Sequence, residues 1–196
     1  KLHPEERSEV RGYDPDEIGE MLRKSGGKTS QDVRRAAIIA MLSTTGLRVS
    51  ELLALTVDDV AGDPQIVRVP RKGTHGAKMD VHVPSAVYPY LHAYLGTRKA
   101  PPEVRALFVT RYGNPMDRFD VYRTLKRVQD KIGAPTGCHT FRHTALTQIT
   151  RQADVIVARD VANQKSVEIT NRYLSATPED MQDAVEKIAD MIRLKS

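Results

Sequence analysis

"CHTFRHTAL", Cys138 to Leu146, sets two histidines and an arginine on a single helical turn, inside a run whose apolar residues recur three or four apart. Two chemistries suit that arrangement. His139 and His143 are four apart and share a helix face, the spacing of a metal pair. Arg142, one turn from His139, instead offers a bidentate fork for a phosphate oxygen beside a group that shares or moves a proton. The metal alternative needs a third ligand and, in its zinc-protease form, a glutamate directly after the first histidine; residue 140 is threonine. No metal is expected, and the phosphate alternative gains. His143 is given no role.

The rest of the chain bounds what such a site serves. It has 196 residues, enough for one large domain, with a formal net charge of +5 and a pI near 9.3. Acidic and basic residues are interspersed, so the excess suits nucleic acid without requiring it. One cysteine, Cys138, excludes an internal disulfide framework and points to a reducing cytoplasm. The longest apolar run, "AAIIAML" at Ala36 to Leu42, is far too short to span a bilayer, and no signal-peptide pattern opens the chain, so no membrane partner is expected. The opening "KLHPEERSEVRGYDPDE" lacks an initiating methionine and reads as a linker, residues 1–15, entering a domain whose N-terminal companion is absent.

Periodicity predicts a mostly α fold with a small antiparallel β-sheet. Val33, Ala36, Ala37, Ala40 and Met41 follow the cap-like "KTSQD" at helical spacing, and Gly46 ends that helix. A short helix, "RVSELLAL", comes next. "IVRVP" and "DVHVP" alternate apolar and polar residues on either side of "RKGTHGAK", a hairpin with a basic tip. Further helices are expected at "SAVYPYLHAYL", "DVYRTLKRVQDKI", "HTFRHTALTQIT", "DVIVARDVA", "VEITNRYL" and "PEDMQDAVEKIADMIRL".

Three more residues draw attention beside Arg142. In "TTGLRVSELLAL", Arg48 follows the helix-ending glycine, with Glu51 three residues on to orient its guanidinium; the plain alternative is a surface ion pair. Lys72 sits near the hairpin tip, where lysines usually guard an edge, yet a hairpin can carry an ammonium into a groove as a general acid. Tyr173 closes "NQKSVEITNRYL". A lone tyrosine there is usually a rim residue, and one that attacks as a nucleophile needs cationic neighbours because its phenol has a pKa near 10.

Together, in this order, these segments resemble the catalytic domain of the tyrosine recombinase (phage integrase) family across nearly the whole chain. "TGLRVSELLAL" is similar to the segment with the family's first catalytic arginine, "RKGTHGAKMDVHVP" to its lysine-bearing hairpin, "HTFRH" to its His-x-x-Arg box and "SVEITNRYL" to the segment ending in its nucleophilic tyrosine; "LFVTRYGNPM" resembles the usual connector. The resemblance implies that Arg48 and Arg142 clamp the scissile phosphate and that His139 hydrogen-bonds or transfers a proton. It likewise implies Lys72 as general acid for the 5′-oxygen and Tyr173 as nucleophile. Members often carry histidine or tryptophan where Gln164 aligns, in a pair that here reads Asn163-Gln164. Glutamine still donates a hydrogen bond to a phosphate oxygen but transfers no proton.

What the resemblance implies for function is strand cleavage through a 3′-phosphotyrosine, attack on it by a 5′-hydroxyl from another strand, and exchange through a Holliday junction. No metal, ATP or other cofactor is required. The partners implied are double-stranded DNA and further copies of the chain, four in the assembled complex, in the cytoplasm at the nucleoid. Residues 16–177 form the catalytic domain on this reading. In the final helix, residues 178–196, Met181, Val185, Ile188 and Ile192 share one face that packs either on its own domain or on a neighbouring protomer. Two alternatives share these residue types: a type IB topoisomerase that rejoins the same strand, and a DNA-binding regulator that does not cut.

Overall fold

An apolar run too short for a membrane but apolar on every side belongs at the centre of a helical domain, and "AAIIAML" lies there. The computed structural model describes residues 12–27, 29–70, 78–152, 178–192 and 194. In chain order these form α1 (Pro15–Lys24), α2 (Ser30–Thr45), α3 (Val49–Leu53), β1 (Ile66–Pro70), β2 (Lys78–His82), α4 (Tyr88–Leu95), α5 (Arg118–Ile132), α6 (Cys138–Gln152) and α7 (Pro178–Met191). The mostly helical fold with a two-stranded antiparallel sheet is as expected. Among the described residues no helix is long and apolar enough to cross a membrane.

Helix α2 is the axis. Ala37 through Leu42 are fully buried, and α1, α4, α5, α6 and α7 all pack on it. Thr29 caps its start, accepting a hydrogen bond from the Asp32 amide at 3.2 Å. Its last turn, Ser43 to Thr45, is polar yet buried; Thr44 and Thr45 donate to the carbonyls of Ala40 and Met41 at 2.8 and 2.6 Å, so those hydroxyls are satisfied within the helix. Gly46 then takes φ +63°, the left-handed conformation that ends a helix cheaply only in glycine.

The hairpin forms with Val67 opposite Val81 and Val69 opposite Met79, all four facing the core. On the outer face Arg68 and Asp80 pair at 3.2 Å. Strand β2 begins at Lys78, two residues before the expected Asp80, because the alternation runs back through buried Met79 to exposed Lys78. The tip, 71–77, lies outside the described residues, as do the expected helices within 153–177.

Helix α1 falls where a linker was expected to give way to the domain, and was not anticipated. Asp14 precedes Pro15 at the first helical position, and the Glu17 carboxylate accepts from the Asp14 amide at 2.9 Å, a capping box built from residues that also read as a polar linker. Ile18, Met21 and Leu22 bury against α2 and α5, and Tyr13, ahead of the helix, is 2 % exposed. Of the stripe expected in and just after α7, Val185, Ile188 and Ile192 are buried and Met181 is half-buried, with α2, α6 and β2 of the same chain beside the helix. Burial of each such side chain is worth about 1.5–3 kcal/mol.

Candidate active site

Gly46 turns the chain from the end of α2 into α3, and Arg48 is the residue that caps α3. Glu51, three residues on, folds back: Oε2 accepts from the Arg48 amide at 2.7 Å and Oε1 accepts from Arg48 Nη1 at 2.8 Å. The spacing that orients a guanidinium thereby also closes the helix start. Glu51 is 3 % exposed, and a carboxylate so placed is stable only with cationic partners.

Its second partner comes from α6. Phe141, Ala145 and Ile149 form the buried face of that helix, and Arg142 shares the buried side with them. Arg142 Nη1 stands 3.9 Å from Glu51 Oε2 and also donates to the carbonyl of Gly46, 96 residues away in sequence. A Cβ at Gly46 would lie 3.4 Å from Leu146 Cδ2, a measure of how closely α6 crosses this turn. Glycine at 46 therefore ends α2 in the left-handed conformation and presents a carbonyl to Arg142, with Leu146 of α6 in contact range.

Arg48, Arg142 and Glu51 carry a formal sum of +1, two guanidinium charges against one carboxylate. Burial lowers the Arg142 pKa and the like charge of Arg48 lowers it further, while Glu51 opposes both. The guanidinium stays charged, since arginine ordinarily titrates far above neutral pH. A fixed, half-neutralised pair of forks is a receptor for an oxyanion that gains charge.

His139 opens α6 one turn before Arg142 and is exposed, as is His143. Cys138 beside it is held as the thiol, its pKa pushed up by burial. Among the described residues no group of three His, Cys, Asp or Glu side chains is placed to hold a metal. Of the six expected site residues, the structure thus brings Arg48 and Arg142 together and places His139 on the same helix as Arg142. Lys72, Gln164 and Tyr173 lie outside the described residues.

Two contributors were not read from the sequence in these roles. Glu51 was seen as a partner of Arg48, but its approach to Arg142 is a tertiary contact with no local signal. Tyr13 is the other. Its ring lies 4.7 Å from that of Phe141, its hydroxyl donates to the Pro135 carbonyl at 2.6 Å and accepts from Gln129 Nε2 at 2.7 Å, and its amide donates to Thr144 Oγ1 at 2.7 Å. These bonds tie the loop before α6, and α6 itself, to the start of the domain. Burial pushes the Tyr13 phenol up to about 12, so this tyrosine is a protonated brace.

Comparison with known proteins identifies the family. The sequence pattern described as the phage integrase family matches residues 13–180. Tyrosine recombinase XerD of Corynebacterium glutamicum is 30 % identical over 162 residues, covering 79 % of this chain and 52 % of that protein. Tyrosine recombinase XerS of Streptococcus equi subsp. zooepidemicus is 29 % identical over 164 residues, covering 79 % and 45 %. The chain spans about half the length of these curated relatives. Among solved structures, XerA recombinase superposes with a TM-score of 0.69 at 22 % identity, over 100 % of this chain and 68 % of that one. The lambda integrase catalytic core superposes with a TM-score of 0.58 at 14 % identity, over 76 % and 93 %. Both likenesses show a shared fold. With the matched pattern running from Tyr13, the brace of α6, to Asp180 in α7, the chain belongs to the phage integrase family, the tyrosine recombinases.

Proposed function

We propose that this chain cuts and rejoins double-stranded DNA at specific sites through a covalent 3′-phosphotyrosine. The observation that carries the proposal is the joining of Arg48 and Arg142 on one buried carboxylate, Glu51, which holds two forks at fixed positions before any substrate arrives. In-line attack on a phosphodiester builds charge on the non-bridging oxygens, and guanidinium donors held in place stabilise it without reorganising.

The Tyr173 oxygen attacks phosphorus and the bond to the 5′-oxygen breaks. Lys72 gives its proton to that leaving oxygen, and the phenol proton passes to a neighbouring base, for which His139 is the candidate. A 5′-hydroxyl then attacks the phosphotyrosine and releases Tyr173. Gln164 donates a hydrogen bond to a phosphate oxygen and transfers no proton. Three other tyrosines are unsuited to attack: Tyr13, Tyr88 and Tyr94 are buried, and their hydroxyls donate to the carbonyls of Pro135, Pro64 and Leu107.

Relatives in complex with DNA support duplex DNA as the substrate and self-association upon it. XerH site-specific recombinase is seen bound to its difH substrate, and lambda integrase as a dimer bound to a COC′ core site. We assign this chain the same class of partner, with four copies in the assembled complex, in the cytoplasm at the nucleoid.

Covalent capture tests the reading. The chain and its Tyr173→Phe variant are incubated with nicked fragments of source DNA, denatured, and the protein-linked strands sequenced. The expected result is a 3′-linked adduct with Tyr173 and none with Tyr173→Phe, DNA binding being equal. An adduct that survives in the variant removes Tyr173 from its role; no adduct from either protein, with binding retained, favours a regulator that does not cut.

A further inference from the structure

At the end of α2 away from Gly46, a cavity of about 360 Å³ opens between α2, the turn at 110–116 and the first three turns of α5. Arg34, Arg35, Arg111, Arg123 and Arg127 line it, against one carboxylate, Asp120. Twelve residues of α2 separate Arg34 from Gly46, roughly 18 Å at 1.5 Å per residue, so this is not an extension of the Arg48 and Arg142 cluster.

What these cations already bind does not neutralise them. Arg34 Nη1 donates to the Val109 carbonyl at 2.6 Å, and Arg35 donates to the Thr124 carbonyl at 3.2 Å and to Asp32 at 3.1 Å. Arg123 pairs with Asp120 at 2.7 Å, and the Arg111 guanidinium lies 4.5 Å from the centre of the Tyr112 ring. Counting Asp32 with Asp120, five positive charges meet two negative ones. Arg34 is 9 % exposed, and its Nε is buried without a hydrogen-bond partner. Native interiors rarely leave such a donor idle, because it forfeits its hydration for nothing. Burial lowers the Arg34 pKa, and the charges of Arg35 and Arg127 oppose its protonation further despite Asp120 nearby. A negative charge held in the cavity relieves the electrostatic part of these costs.

We propose that this cavity is a second phosphate site, in which the exposed arginines Arg111 and Arg127 take the phosphate oxygens and Arg34, buried behind them, adds its charge. Planar forks facing a common space from three elements match the tetrahedral spread of phosphate oxygens better than lysines would. The phosphate comes from a DNA backbone, at a point away from the cleaved bond, or from the free anion. Assigning it to DNA rests on the function proposed above; the site itself does not.

Nitrogen-15 NMR of arginine Nε–H groups reads the site directly, because the Arg34 signal reports on the buried donor. The chain is titrated with inorganic phosphate and, separately, with a short duplex that carries no cleavage site. The expected result is a saturable shift of the Arg34 signal with phosphate, weakened about tenfold in Arg127→Gln, the loss of one charge-assisted contact. Arg127 is exposed and takes no part in the core, so this variant keeps the fold where substitution of Arg34, which holds Val109, need not. The Arg142→Ala variant retains the shift, which separates this site from the first. A duplex that shifts the same signal and competes with phosphate identifies the DNA backbone as the source; a response to phosphate alone identifies the free anion. A still Arg34 signal under both titrations, or a shift that Arg127→Gln leaves intact, overturns the proposal. Failure of covalent capture at Tyr173 would not alter these signals, so the two proposals fail separately.

Discussion

The two ends of α2 hold arginines with different balances of charge: two guanidinium groups against one carboxylate at the Gly46 end, five against two at the other. At the Gly46 end, Arg48 and Arg142 converge on Glu51, whose carboxylate is 3 % exposed and fixes both cations while cancelling part of their charge. At the Arg34 end, Arg34 and the Nε of Arg35 donate to neutral carbonyls, which fix a guanidinium without cancelling it, and only Asp32 and Asp120 offset the five arginines. A carboxylate anchor trades field for geometry, which suits a step whose transition state needs donors at set positions. Carbonyl anchors keep the field, which suits attraction of an anion whose placement matters less.

Four substitutions break or sharpen that contrast. Glu51→Gln keeps the shape but leaves two guanidinium groups facing each other without their shared anion. Stability should fall by about 3 kcal/mol, the low end for breaking a buried pair because Arg48 is 34 % exposed, as read by urea unfolding. Arg142→Ala should lower single-turnover cleavage by about 10²–10³, the cost of removing one preorganised oxyanion donor, with DNA binding measured alongside to confirm that the loss lies in the chemical step. Gly46→Ala places a Cβ in the left-handed region at φ +63°, against Leu146. It should cost about 1–2 kcal/mol in the same unfolding measurement and slow cleavage through the displaced Arg142 carbonyl partner. Arg127→Gln, at the exposed rim of the other end, should change stability by less than about 0.5 kcal/mol. A larger change would mean that Arg127 supports the fold, and would remove it as a clean probe of the cavity.

Local chemistry was legible in the sequence where one element contains the whole signal. The cap before α2, the glycine after it, the alternation of the hairpin and the apolar stripe of α7 each need a few consecutive residues to be read. Helix α1 was missed because Asp14, Pro15, Asp16 and Glu17 serve equally as a polar linker and as a helix start, and the apolar side chains that decide between them, Ile18, Met21 and Leu22, gain their meaning from α2 and α5. The same limit governs the sites. Arg48 with Glu51 is an i, i+3 pair and visible; Glu51 with Arg142, and Arg34 with Arg111 and Arg127, exist only once helices cross. Lys72, Gln164 and Tyr173 entered through resemblance, since hairpin lysines, glutamines and helix-end tyrosines are common in unrelated folds.

The central claim is that Arg142, locked by Glu51 and Gly46, acts on charge at the phosphate being cut. The direct measurement uses the DNA site found by covalent capture, made once with its normal phosphate and once with a neutral methylphosphonate at the cleaved position, and compares adduct formation by the chain and by Arg142→Ala. Charge stabilisation predicts a large deficit for the variant on the normal phosphate that shrinks markedly on the neutral linkage, where the transition state carries one negative charge fewer. An equal deficit on both would contradict the account and make Arg142 a brace for the helix crossing at Gly46.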